Sequence, residues 1–362
     1  MNTEQEWNEK KKHGRRSRLK AYNRIVTILD VLLLAGCIFL FLRTSAVEKQ
    51  YQEERERANE LERELAEDEA EVTELMEQAE EAVSEDETLG EVRTIAERGT
   101  NAIEILKLLF PQQFVLADEG AFHFFDINRN LRQNEYDLSS FFVNEKGLMV
   151  YTEDGQEVGY RGIDVSQHNG AIDWEQVRAD GVDFVYIRAG IRGYGSGKLV
   201  EDARFAENIE GAKAAGLNVG VYFFTQAVTE EEAVEEADFV LELIRGKEMD
   251  IPVAIDVEKV ENNETEPRTK NLSKAQYTAN VKAFCERIRE AGYDAIVYGN
   301  GKTFAILLDI NELESYEKWF ADYISSNDWT PYFPYHFRIW QYDSTGRVNG
   351  ISGDCDLNLA FY

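Results

Sequence analysis

The chain is 362 residues long, 43% apolar and 30% charged, enough by length for about two domains. Its 39 Lys and Arg against 69 Asp and Glu give a formal net charge of −30, which repels a phosphate backbone and argues against nucleic acid as a partner. Four scattered histidines (His13, His123, His168, His336) and the lack of any C-x-x-C or H-E-x-x-H leave zinc without its usual ligands, and no metal or cofactor is expected.

Residues 1–24 form a basic tail in which eight Lys and Arg face three Glu, a net +5. Ile25 to Leu42 follows, an 18-residue run with 15 apolar members broken only by Thr27, Asp30 and Gly36. As a helix it extends roughly 27 Å at about 1.5 Å per residue, close to the hydrocarbon thickness of a bilayer. A buried soluble helix is rarely apolar on every side. A cleaved signal peptide stays open as an alternative, with Thr44-Ser45-Ala46 a passable cleavage site. The expectation is a single membrane span with its basic N-terminus cytoplasmic and everything beyond about residue 43 outside the cell.

Residues 43–100 read as an acidic helical stalk; residues 48–100 carry 20 acidic against 6 basic side chains. From Val47 to Ala82 positions stepping alternately by four and three are mostly apolar, with Glu54 and Asp68 the exceptions. Such a seam can pair two copies of the helix as a coiled-coil homodimer, while its alanines and like charges leave a lone solvated helix as the alternative. In either form it is a spacer. Residues 101–160 then alternate a short amphipathic stretch, Ile103 to Phe110, with aromatic-rich runs and Asp, Asn and Gly turns, which predicts a small β-rich module or an ordered linker packed on the next domain.

From Arg161 to the end, β-branched and aromatic runs ending in Gly, Asp or Asn alternate with helical patterns. The strand-like runs are 162–165, 184–189, 219–224, 253–257, 295–298, 319–323 and 337–342. Strand and helix in repetition predict an α/β domain with a parallel sheet closed into an irregular, TIM-like (β/α) barrel, whose active groups stand where strands end. Cys285 and Cys355 are 70 positions apart and are left unpaired.

Ile255-Asp256-Val257-Glu258 closes one of these strands, and alternation turns both carboxylates to the same side. A carboxyl beside another in a partly dry site has its pKa raised and can keep a proton to serve as general acid. Asp164 ends the first strand, and Asp356 follows the last, so closure of the sheet brings four acids to one mouth. Taken alone, a D-x-E at a strand end is as readily a helix cap, an ion-pair partner or a hard-metal ligand.

The wider pattern resembles the family 25 glycoside hydrolases, the Chalaropsis-type lysozymes. It is carried in order by Gly162-Ile163-Asp164-Val165-Ser166, Asp173-Trp174, Phe184 to Ala189, Gly220 to Phe224, Ile255 to Glu258, Trp340-Gln341-Tyr342 and Asp356-Leu357-Asn358, and it covers residues 161–362. The resemblance implies a glycoside hydrolase, an N-acetylmuramidase that cuts the β-1,4 bond between N-acetylmuramic acid and N-acetylglucosamine in the glycan strands of peptidoglycan. It places Glu258 as general acid and Asp256 as nucleophile or as orienter of the substrate N-acetyl group, with Asp164 and Asp356 as supporting acids. Tyr222, Tyr298, Trp340 and Gln341 fall where sugar would be stacked or hydrogen-bonded, with plain barrel core the alternative for the aromatics. His168-Asn169-Gly170 stands where many relatives have Gln before the Gly, and His168 is assigned to loop packing over sugar contact; the polar stretch 260–271 either rims the groove or is a solvated loop. A wall-binding scaffold without catalysis is the alternative function, and a coiled-coil assembly factor with an incidental barrel a weaker one.

Overall fold

The computed structural model describes residues 3–98, 102–260, 266–323 and 330–361. The chain divides into two compact units, Met1–Arg93 and Thr94–Tyr362. The first is the body of one continuous helix, α1 (Thr3–Arg98). Within it the stretch Arg18–Leu61 is long and apolar enough to cross a membrane by length and composition, and its most apolar part is not buried. Of the expected helical seam, Tyr51 and Leu61 are exposed. The side chains of Val47 and Ala58 and those from Leu65 to Ala82 lie outside the described residues.

The second unit takes the last residues of α1 and continues with α2 (Ala102–Leu109), which stops just short of Pro111. Then come β1 (Gln113–Asp118) and β2 (Ala121–Asp126), an antiparallel hairpin. Its two-residue turn, Glu119-Gly120, has left-handed backbone at both positions (φ 49° and 80°), the twist a tight hairpin requires. A second antiparallel sheet is formed by β3 (Phe141–Val143), β4 (Met149–Glu153) and β5 (Gln156–Val158). These elements pack on the domain that follows and share its core. Phe141 meets the ring of Trp340 edge-on at 5.4 Å, and Tyr136 donates its hydroxyl to the Phe337 carbonyl at 2.7 Å.

A closed eight-stranded barrel makes up the rest. In chain order its elements are β6 (Tyr160–Val165), α3 (Trp174–Ala179), β7 (Phe184–Arg192), the short β8 (Leu199–Glu201), α4 (Phe205–Ala214), β9 (Asn218–Phe224), α5 (Glu230–Leu243), β10 (Val253–Asp256), α6 (Lys274–Glu290), β11 (Ala295–Asn300), β12 (Glu317–Ala321), β13 (Ile339–Gly346) and β14 (Cys355–Ala360). Strands β6, β7, β9, β10, β11, β12 and β13 run parallel around the wall, and β14 closes it antiparallel to both β13 and β6. β8 pairs with the overhanging end of β7, outside the closed ring. Asp173, Thr229 and Ser273 each accept a backbone N–H with their side chains and so start α3, α5 and α6.

The eighth strand is a correction to the sequence reading, which ended the sheet at residue 342 and set Asp356 beyond it. Asp356 lies inside β14, directly opposite Asp164 of β6. The strand is hard to recognise because its inward positions are Asp356, Asn358 and Ala360, where a β pattern is sought in apolar residues. Its outward residues Leu357 and Leu359 carry the hydrophobic half of the alternation.

That alternation organises the barrel. Val185, Val221, Ile255, Val297 and Phe320 face the helices and join the outer core, while Phe184, Tyr186, Ile296, Trp319 and Ile339 fill the interior. The inner aromatics need glycine beside them. A Cβ on Gly162 would stand 2.1 to 2.4 Å from the ring carbons of Phe184, a fully buried side chain with no room to retreat. Gly162→Ala is therefore expected to destabilise the barrel unit by at least about 2 kcal/mol, the scale of overpacking a filled core. Thermal or denaturant unfolding checks this, and an unchanged midpoint would refute the close packing of Gly162 on Phe184. Cys285 and Cys355 are both buried and unpaired.

Candidate active site

The strand ends open on a cavity of about 690 Å³, and all four acids named from the sequence line it: Asp164, Asp256, Glu258 and Asp356. Asp164 and Asp356 face each other across the β6–β14 pair, and Asp256 lies beside Tyr298 across the β10–β11 pair. Glu258 stands two residues past Asp256, just beyond the end of β10, and is half-buried where Asp256 is buried. The backbone after β10 still runs beside β11 there, with the Val257 N–H donating to the Tyr298 carbonyl at 3.2 Å. Extended chain at this point is what returns the second carboxylate to the side of the first.

Asp164 is held by two amides. The Gln341 and Asn358 side-chain amides each donate to its Oδ2 at 2.8 Å. Both amides are themselves fixed. Trp319 donates its indole N–H to the Asn358 oxygen at 2.8 Å, and the Tyr298 and Tyr323 hydroxyls donate to the Gln341 oxygen at 2.8 and 3.0 Å. The two amides are thus held by side chains of the barrel wall, so the carboxylate is oriented before any ligand arrives. Arg188 lines the same cavity but is bound to Asp202, with its Nη2 2.8 Å from the carboxylate.

Four carboxyls in one partly dry space cannot all ionise near neutrality. Burial pushes Asp164 up to about 6 against the pull of its two amide donors. Burial, with the charges of Asp164 and Glu258, pushes Asp356 up to about 8. Asp256 is raised well above the ordinary range by burial and by the neighbouring carboxylates, Arg188 opposing, and its Oδ1 is a buried oxygen with no hydrogen-bond partner. Glu258 is raised by burial and by Asp164, with the Tyr298 hydroxyl pulling the other way. The arrangement retains protons at pH values where a free carboxyl has lost its own, which general acid chemistry requires.

Of the remaining residues singled out from the sequence, Tyr222, Tyr298 and Gln341 line the cavity and Trp340 does not. Trp340 follows the outward face of β13, where it packs against Phe141 and Tyr342 and donates its indole N–H to the Asp322 carbonyl at 2.8 Å. Neighbours on a strand face opposite ways, so Trp340 and Gln341 cannot both point into one groove. The indole that does reach the cavity is that of Trp319, stacked on Tyr186 with ring centroids 4.3 Å apart and edge-on to Tyr298 at 4.7 Å. Tyr323 and Arg188 also line the cavity and were not singled out; Trp319 and Arg188 follow from the same alternation once the strand register is known. His168 is exposed at the rim instead of packed within the loop. Residues 261–265 of the polar stretch lie outside the described residues; beyond them Arg268 pairs with Glu232 at 2.7 Å and Thr269 donates to the Gln226 side chain at 3.2 Å. Among the described residues no group of three or more His, Cys, Asp or Glu is arranged to hold a metal ion.

Comparison with known proteins places this site in context. Residues 163–351 match the model of the glycosyl hydrolases family 25. The autolytic lysozyme of Clostridium acetobutylicum is 30% identical over 198 residues, which is 55% of this chain and 55% of that protein. Lysozyme M1 of Streptomyces globisporus is 29% identical over 204 residues, 55% of this chain and 67% of that protein. The chain thus spans little more than half the length of the first of these relatives. Among solved structures, the modular autolysin LytC of Streptococcus pneumoniae, determined in complex with a synthetic peptidoglycan ligand, superposes with a TM-score of 0.51 at 26% identity, over 68% of this chain and 58% of that one.

Proposed function

Because the chain belongs to the glycosyl hydrolases family 25, we propose that it is a muramidase, hydrolysing the β-1,4 bond between N-acetylmuramic acid and N-acetylglucosamine in peptidoglycan, with its irregular (β/α) barrel as the catalytic domain. The observation that carries this reading is the convergence of Asp164, Asp256, Glu258 and Asp356 on one cavity under conditions that keep protons on carboxyls. In this reading protonated Glu258 delivers its proton to the glycosidic oxygen as the bond to the leaving sugar breaks. Asp256 meets the positive charge that develops at the anomeric carbon, either as nucleophile or by orienting the substrate acetamide. Asp164 and Asp356 surround that charge, and the Gln341 and Tyr298 chain keeps Asp164 in place. Tyr222 and Tyr298 offer ring faces and hydroxyls to the sugar.

The rest of the chain fits a membrane-anchored form of such an enzyme. We read residues 25–42 as a single span with the basic residues 1–24 cytoplasmic, and residues 43–100 as an acidic spacer able to pair with a second copy. Residues 101–160 are read as a small β-rich module packed against the catalytic domain, residues 161–362, and working outside the cell. Exported in this way, the site has the cell wall as its substrate. Incubation of the full chain with purified peptidoglycan is expected to release soluble fragments with new reducing ends. Retention on insoluble wall with no fragment released over hours would instead indicate a glycan-binding scaffold.

A further inference from the structure

Glu258, Tyr298 and Tyr323 border a second cavity of about 300 Å³, whose opposite wall comes from α2 and β1, outside the residues that match the family model. That wall is a fastened part of the fold. The Val115 N–H donates to the Tyr332 hydroxyl at 3.0 Å, and Lys302 pairs with Asp118 at 2.6 Å. At Gly301 the hairpin comes so close that a Cβ would stand 3.0 to 3.1 Å from the side chains of Leu116 and Phe114. From α2, Lys107 sits over the Tyr332 ring, 3.9 Å from its centroid.

We infer that α2 and β1 complete the substrate groove, building with Tyr323 and Tyr332 a subsite for an N-acetylhexosamine on the leaving-group side of the scissile bond. This rests on the muramidase reading above. A general acid touches the oxygen shared by the two sugars, so a second cavity that meets the first at Glu258 stands where the sugar beyond that oxygen can be received. The sugar that acquires positive charge needs the carboxylates, and Asp164, Asp256 and Asp356 all belong to the first cavity. The second cavity has only Glu258 from that cluster, and its walls are largely aromatic and aliphatic, suited to the apolar face of a pyranose ring. Its volume lies at the lower end of the range for small-ligand sites, which fits one saccharide unit better than a cross-linked peptide.

Ala117 is exposed on β1 and lines this cavity, so Ala117→Trp fills it without entering the barrel core. In the full chain acting on soluble peptidoglycan strands, this variant is expected to raise KM about tenfold or more with kcat little changed, the pattern of lost uniform binding. Its melting temperature is expected to stay at the wild-type value. Ile103→Trp fills the same space from α2 and is expected to give the same split. An active wild type whose kcat and KM are unaffected by either folded variant would overturn the subsite alone, while a wild type that releases no reducing ends would remove the muramidase reading and the subsite with it.

Discussion

Glu258→Gln is expected to lower kcat on peptidoglycan by about 10²- to 10⁴-fold, the range ascribed to a positioned general acid, while leaving the fold and glycan binding intact. Glutamine preserves the shape of the side chain and removes the proton it would deliver. Glu258 is half-buried and bears no ion pair among the described residues, and the glutamine amide oxygen can still accept from the Tyr298 hydroxyl. The melting temperature should therefore not fall, and the loss should appear in kcat with KM near its wild-type value. Wild-type turnover in the variant would remove Glu258 from its assigned role.

Asp256→Asn is expected to change activity and stability in opposite directions. Activity should fall on the same scale as for Glu258, since this side chain is one of the buried acids that face the developing charge. Stability at pH 8 should rise, by at least about 3 °C in Tm for a unit of this size. In the unfolded chain an aspartate loses its proton near 4. In the fold, burial and the adjacent carboxylates hold the proton of Asp256 to higher pH, and Asp164 and Asp356 titrate at about 6 and about 8. Above pH 4 the unfolded state binds fewer protons than the native one, so the stability of the wild type falls as pH rises, with Asp164 contributing up to about 6 and Asp356 up to about 8. An asparagine does not ionise and escapes its share of this loss, and its amide can donate to the carboxylates that now repel the charge. The advantage of the variant should shrink towards pH 4, where both side chains are neutral. A Tm difference that is the same at pH 4 and pH 8 would show that Asp256 is not raised by its surroundings.

Such a trade between stability and chemistry is common where charges are gathered for catalysis. The aim of the acids at one cavity was legible in the sequence, because D-x-E on extended chain and a carboxylate at the end of the first strand follow from alternation alone. The eighth strand was not, since β14 turns Asp and Asn inward and so lacks the apolar signal by which strands are recognised. Trp340 was misplaced for a related reason. The motif Trp340-Gln341 is contiguous, and only the register of β13 against β12 and β14 decides which of the two residues looks inward. Nor did sequence alone reveal that β1 and Glu258 line one cavity. That arrangement joins residues 114–116 to residues 301 and 332, and depends on the small Gly301 and on a tyrosine hydroxyl more than two hundred positions away from its partner.

The central claim is that four carboxylates at the barrel mouth act on one glycosidic bond, the one on the reducing side of N-acetylmuramic acid. The most direct measurement is mass analysis of borohydride-reduced fragments released from purified peptidoglycan by the full chain, with the Glu258→Gln variant alongside. Fragments ending in reduced N-acetylmuramic acid, formed by the wild type and not by the variant, are the predicted result. Fragments ending in reduced N-acetylglucosamine, or equal release by both proteins, would contradict it.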